Sequence, residues 1–311
     1  GIDMGGMSIK MGLVNEENKI IGRITIPTDL TVPYQTLVER MADAVRQMLE
    51  NAGMTLEQCG GIGIGSPGTI DAKQGVILYS NNFGWENVPI VEELKKHLDT
   101  RIEIANDADA AALGEVCAGA AEGAENAVLL TLGTGVGSGV ILDKKIFRGA
   151  MPGGCELGHL SIRYDGIRCT CGRKGCLEAY ASASALLRIA REKAAEHPES
   201  IMNEMCGNDL EQMNGKIPFD AARAGDEAGM ETVKEYEGYL ACGIANVINT
   251  FRPEKVILGG GVAAQKDNLT APLKDLVKDM CFGGSHGHIA DIVTSVLGND
   301  AGIIGAANLV V

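Results

Sequence analysis

The sequence predicts an α/β protein with largely parallel or mixed sheets, folded as two lobes. Short apolar strand candidates alternate with amphipathic helix candidates. Glycine-rich turns follow three of those strand candidates, and 311 residues exceed what one core usually supports. A hydrophobic content of 45% and a mean hydropathy of +0.06 describe a globular chain.

The chain opens at Gly1-Ile2-Asp3 without Met, so its first strand reads as clipped. Leu37, Met41, Val45 and Met48 repeat at helical spacing and predict a helix from about Thr36 to Ala52. Residues Gly61–Gly65 read as a buried strand entering the turn Ser66-Pro67-Gly68. A second strand candidate, Arg101–Ala105, runs into a helix opening at Asn106-Asp107, where a short polar side chain satisfies free amides. Ala127–Leu132 and Val140–Leu142 flank the glycine-rich Gly133–Gly139, and a turn near Asp143-Lys144 leads to Ile146-Phe147. Residues 198–217 read as a polar, irregular surface excursion. Val233, Tyr236, Leu240, Ile244 and Val247 mark a long helix stopped by Arg252-Pro253. Lys255–Leu258 is a strand entering Gly259-Gly260-Gly261; a last strand, Asp291–Leu297, precedes a helix from Ala301.

Composition narrows the function. With 41 acidic against 27 basic residues the net charge is −14, which opposes non-specific nucleic-acid binding. No apolar run approaches the roughly 18 to 20 residues that span a bilayer. Nine cysteines, an odd number, argue against a disulfide framework and for a cytoplasmic enzyme. Cys59, Cys117, Cys155, Cys206, Cys242 and Cys281 are scattered and are expected to be buried free thiols.

The other three thiols are not scattered. Cys169, Cys171 and Cys176 stand in C-x-C-x4-C spacing, with His159 ten positions upstream. Three thiolates and one imidazole in a closed four-coordinate site suit structural Zn²⁺; reduced thiols without metal are the alternative. Glu178 follows the last thiol by two residues, and Glu156 precedes His159 by three. Glu156, His159 and Glu178 form a donor and acceptor set suited to sugar hydroxyls, His159 binding metal through one nitrogen and substrate through the other.

Asp3, Gly5, Gly6, Met7, Ser8 and Lys10 follow the first strand, and the paired glycines let backbone approach a phosphate or simply make a hairpin. Asp3 is placed to orient water or Mg²⁺. Gly133, Thr134, Gly135 and Gly137 offer a second anion-binding turn, and Gly260 and Gly261 a flat surface for adenine or ribose. None has the G-x4-G-K-[ST] spacing of a P-loop. Asp107 at a helix start is held ionised by the dipole, ready to accept a hydroxyl proton, or is an ordinary cap. Asn82 lies in Asn81-Asn82-Phe83-Gly84-Trp85, with the only tryptophan, and is a further pocket candidate.

Together these motifs resemble the ROK family of sugar kinases, most closely its bacterial glucokinases, almost end to end. The family's D-x-G-G-T-x-x-K element is similar to Asp3–Lys10, and L-G-T-G-V-G-x-G matches Leu132–Gly139. N-D-A-x-A-A-A-x-G-E fits Asn106–Glu115, E-x-G-H fits Glu156–His159, and C-x-C-G-x-x-G-C-x-E fits Cys169–Glu178. The resemblance implies two actin-like (ribonuclease H-like) lobes with a cleft between them. The smaller would span residues 1–118 with a returning helix at about 299–311; the larger, 119–298, would carry the zinc element. It implies ATP-dependent phosphorylation of glucose, with Asp107 as base on the 6-hydroxyl. Asn82, Asn106, Glu156, His159 and Glu178 would hold the sugar, His159, Cys169, Cys171 and Cys176 the zinc, and the glycine turns Mg-ATP. A cytoplasmic dimer or tetramer is implied as well.

Two departures stand out: Met7 where the family has Thr, and Cys155 where it has Gly, which alter respectively the first phosphate turn and the backbone aiming Glu156. Related kinases act on N-acetylmannosamine, N-acetylglucosamine or fructose. Sugar-sensing regulators of the family carry an added DNA-binding domain, for which this chain offers no residues ahead of the first phosphate strand.

Overall fold

In a computed structural model of the protein, which describes residues 1–287 and 289–311, the Gly5-Gly6 pair turns the chain back on itself. Strands β1 (Ile2–Met4) and β2 (Ser8–Val14) therefore pair antiparallel, with Asp3 opposite Lys10. The chain continues through β3 (Ile20–Pro27) and α1 (Tyr34–Ala52). Helix α1 buries Leu37, Met41, Val45 and Met48, the predicted stripe, and stops at Gly53, whose φ of 65° suits a residue without a side chain. There follow β4 (Ile62–Ser66), β5 (Thr69–Asp71), β6 (Val76–Ser80), β7 (Trp85–Val88), α2 (Ile90–Lys95), β8 (Ile102–Asn106) and α3 (Asp107–Ala118). One mixed sheet has the order β3-β2-β1-β4-β8, with β1, β4 and β8 parallel. A small antiparallel sheet has the order β5-β6-β7.

Next come β9 (Ala127–Leu132), β10 (Val136–Leu142), β11 (Lys145–Ile146), α4 (Glu178–Ala181), α5 (Ala183–Glu196), α6 (Ile201–Met205), α7 (Ile217–Arg223) and α8 (Glu227–Phe251). The chain ends with β12 (Lys255–Gly259), α9 (Asp267–Met280), β13 (Asp291–Thr294) and α10 (Ala301–Ala307). A second mixed sheet has the order β11-β10-β9-β12-β13. Two compact units result: Gly1–Leu129 with Gly139–Cys155 and Val296–Val311, and Leu130–Ser138 with Glu156–Ser295. Among the described residues no helix is long and apolar enough to cross a membrane.

Helix α10 is buried throughout Ala301–Ala306 and seats on α3 and β4. Glycines permit that approach. A side chain at Gly63 would run into the Ala306 carbonyl, and one at Gly305 into that of Ala110. This crossing fixes α3, and with it Asp107.

Three expectations need correction. Residues 198–217 are not an irregular surface excursion: α6 and a short turn at Leu210–Gln212 bury Met202, Cys206 and Met213 beneath α7. Strand β10 starts at Val136, so Gly137 is a strand residue outside the turn. Of the six scattered thiols only Cys206 and Cys281 are buried, and the others are half-buried.

The second unit also contains a proton trap. Glu237 on α8 is 6% exposed, and its Oε1 has no hydrogen-bond partner among the described residues. Burial pushes its carboxyl from 4.5 up to about 7. The folded state thus holds this proton more tightly than the unfolded chain. Its stabilising contribution is complete below the unfolded value and is lost as pH rises through the folded one. Glu237→Gln should melt with the parent at about pH 5 and about 3–6 °C above it at about pH 8. Coincident melting curves at the higher pH would contradict the account.

Candidate active site and metal centre

In the first unit the site is built where β8 becomes α3. Asn106 keeps extended backbone angles, φ −63° and ψ 150°, while Asp107 is already helical. The Asn106 side chain accepts from the Ala108 amide at 2.8 Å and donates to the Gly68 carbonyl at 3.1 Å. It therefore clamps the Ser66-Pro67-Gly68 loop to the helix start. Since Asn106 takes the cap, Asp107 is left beside it, with Oδ1 accepting from the Ala108 amide at 2.9 Å. Ala108, Ala110, Ala111 and Ala112 make the following turns strongly helical.

Burial pushes the Asp107 carboxyl above the usual carboxylate value, against the opposing effect of the Ala108 amide. Asp3 is also raised by burial; Lys10 opposes this and the Asp107 charge adds to it. Two half-buried carboxylates near one lysine are relieved by a hard cation, and oxygen donors of this kind suit Mg²⁺. The Gly5 amide donates to the Ser8 carbonyl at 3.0 Å, and Thr28 Oγ1 donates to the Gly5 carbonyl at 2.6 Å. Met7 at the tip is 90% exposed, so the hydroxyl missing there is not replaced at the same position. Ser8 lies in β2, and Asn82 sits exposed in the turn between β6 and β7. Trp85 packs on Phe83 with ring centroids 4.8 Å apart. A cavity of about 200 Å³ opens beside Asn106, lined also by Asp71, Lys73, Asp109 and Arg148.

In the second unit the glycine turn is Gly133-Thr134-Gly135. Its ends close through the Gly133 amide donating to the Gly135 carbonyl at 3.0 Å. The amides of Thr134 and Gly135 donate to no protein group among the described residues, as an anion-binding turn requires. Glu178, at the start of α4, accepts from the Val136 amide at 3.0 Å through Oε2. Through Oε1 it accepts from Thr170 Oγ1 at 3.0 Å.

His159, Cys169, Cys171 and Cys176 bring their ligand atoms within 4.8 Å of one another. The Cys171 and Cys176 sulfurs lie 3.6 Å apart, and His159 Nδ1 lies 3.8 Å from Cys169 Sγ. Metal–sulfur bonds of about 2.3 Å in a tetrahedron put sulfurs about 3.8 Å apart, so this donor set fits zinc. Nδ1 faces the sulfurs, which leaves Nε2 for another partner. Glu156 is exposed, and its carbonyl accepts from the His159 amide at 3.0 Å.

Gly260, at φ 83°, ends β12, because a side chain there would strike the Leu132 backbone. Gly261 lines a cavity of about 570 Å³ with Ala183, Lys216, Arg223, Val262 and Gln265. Lys216 and Arg223 escaped the sequence reading, as did Lys73 and Arg148. A signal existed for the first pair: Met202, Cys206, Leu210, Met213 and Ile217 recur at intervals of three or four, the period of buried helices.

A family model described as ROK family matches residues 1–311. A glucokinase of Thermotoga maritima is 37% identical over 311 residues, covering 100% of this chain and 96% of that protein. A ROK family glucokinase from Streptomyces griseus, solved with glucose and AMPPNP, is 32% identical with a TM-score of 0.79, covering 99% of this chain and 97% of that one. A ROK hexokinase from Thermus thermophilus is 32% identical with a TM-score of 0.80, covering 99% and 95%. The fold is thus the α/β fold of sugar kinases. Within that class, the chain belongs to the ROK family.

Proposed function

We propose that this protein transfers the γ-phosphoryl group of ATP to the 6-hydroxyl of glucose, giving glucose 6-phosphate. The observation that carries this reading is Asp107. It is a carboxylate displaced from capping by Asn106, half-buried at the first turn of α3, and accompanied by Asp3 and Lys10. Asp107 aligns the hydroxyl and takes its proton late, because phosphoryl transfer has a loose transition state that depends on positioning and charge. Asp3 would hold Mg²⁺, which when bound would neutralise charge on the phosphates. Gly5, Gly6, Ser8 and Lys10, with Gly133, Thr134 and Gly135, cradle phosphate. Gly260 and Gly261 receive the nucleoside, with Lys216 and Arg223 along the wall of the same cavity.

Asn82, Asn106, Glu156, His159 through Nε2, and Glu178 hold the remaining hydroxyls of the hexose. His159, Cys169, Cys171 and Cys176 bind a structural zinc, which supplies rigidity and no chemistry. The reading includes two actin-like lobes parting near residues 118 and 298, the second carrying the zinc, in a cytoplasmic dimer or tetramer. Support for glucose in particular comes from relatives named glucokinase at 32–37% identity. A coupled ADP-release assay should give glucose a kcat/KM at least about tenfold above N-acetylmannosamine, N-acetylglucosamine and fructose. A higher value for any of the three would replace glucose as the substrate while leaving the kinase reading intact.

A further inference from the structure

We infer that Glu178 couples metal occupancy of the Cys/His knot to nucleotide affinity at the Gly133–Gly135 turn. This deepens the reading above and rests on it, since it takes the knot to bind zinc and the turn to bind phosphate.

Both oxygens of Glu178 are engaged, and they face different structures. Oε1 lies 3.4 Å from the sulfur of Cys169 and accepts from Thr170 at 3.0 Å, both within the knot. Oε2 accepts from the amide of Val136, the first residue after the turn. Gly135 shows how closely the carboxylate presses on that turn, because a methyl group there would run into Glu178 Oε2. The rest of the turn is held from the same segment. The Ala183 amide donates to the Gly133 carbonyl at 2.8 Å, and Ser184 Oγ donates to the Thr134 carbonyl at 2.9 Å. The chain from Cys176 to Ser184 therefore leaves a metal ligand and returns at once to brace the phosphate turn. Leu177, fully buried over Gly243 of α8, stiffens the path between them.

Metal ligation fixes Cys169 and Cys176, and with them their chain neighbours Thr170 and Glu178. The carboxylate then holds the Val136 amide in place, so the amides of Thr134 and Gly135 meet the nucleotide already aimed. With the knot open, Thr170 is released, Glu178 loses its anchor on that side, and the turn must be ordered by the nucleotide itself. Glu178 is a positioning residue in this account. Its carboxylate retains lone pairs for a sugar hydroxyl, so the role adds to the one proposed above. Coupling of this kind is reciprocal: whatever factor metal adds to nucleotide affinity, nucleotide adds to metal affinity.

The test is calorimetric titration of a non-hydrolysable ATP analogue into zinc-loaded protein, chelator-stripped protein and a zinc-loaded Thr170→Val variant. Folding is followed by circular dichroism and zinc by elemental analysis. Stripping should weaken nucleotide binding about tenfold, and the analogue should tighten zinc binding by the same factor. Thr170 touches neither nucleotide nor metal in this account. Thr170→Val should keep one zinc per chain and full helicity while weakening the analogue about three- to tenfold. If stripping unfolds the protein, the variant decides alone. Equal nucleotide affinity in loaded and stripped folded protein, or in parent and variant, overturns the coupling and leaves the kinase reading standing. Loaded protein that binds no analogue, or protein that takes up no zinc, overturns the coupling together with the reading beneath it.

Discussion

Asp107→Asn is expected to lower kcat about 10³-fold while leaving the dissociation constant for glucose within about threefold. The size follows from the role, since removing a positioned base costs on the order of 10² to 10⁴ in rate. The selectivity follows from the geometry. Asn retains an oxygen to accept the Ala108 amide, and Asn106 still caps α3 and clamps Gly68, so the helix start survives. Burial raises the Asp107 carboxyl above its ordinary value near 3.9, and the ionised form is the active one. The acid limb of kcat/KM for the parent therefore lies above that value, with activity falling as pH drops through it. A coupled assay, glucose calorimetry and a pH profile check the three parts. Near-parent turnover would strip Asp107 of its role, and a variant that fails to bind glucose would make it a sugar contact only.

Cys171→Ser should abolish stoichiometric zinc and lower the melting temperature by about 10 °C. This thiol is exposed, whereas Cys169 and Cys176 are buried. Replacing it removes one sulfur ligand without opening the core, so any large loss of stability reports the metal and not the packing. Elemental analysis of the parent should return about one zinc per chain. A parent free of metal with the same melting temperature as the variant would leave three reduced thiols and a histidine with no ion to organise.

The residues that could be read from sequence are those whose chemistry is local. Cys169, Cys171 and Cys176 advertise a metal because one short loop brings the sulfurs together. Asn106-Asp107 advertises a helix start because capping involves only the next few amides. Readings failed where the determinant was distant or the pattern was broken up. Glu178 meets Val136 across 42 residues, a pairing that spacing alone does not encode. Lys216 and Arg223 reach the cavity of Gly261 only because the segment before them folds under α7. That segment is interrupted by Gly207, Asn208 and Asp209, which hid a buried face behind loop-like composition. Gly137 was grouped with the turn because glycine is silent about the side on which a strand begins.

The seating of α10 on α3 and β4 has a consequence for how the enzyme comes into being. Glu115, deep in α3, receives the amides of Val296 and Leu297, the former from 181 residues further along. A ribosome adding about 5–20 residues per second needs roughly 10–40 s to cover that interval. During that time the helix bearing Asp107 exists without its cover. The nascent chain therefore forms the local start of α3 early, whereas the packing that holds this helix in place waits for residues 296–311.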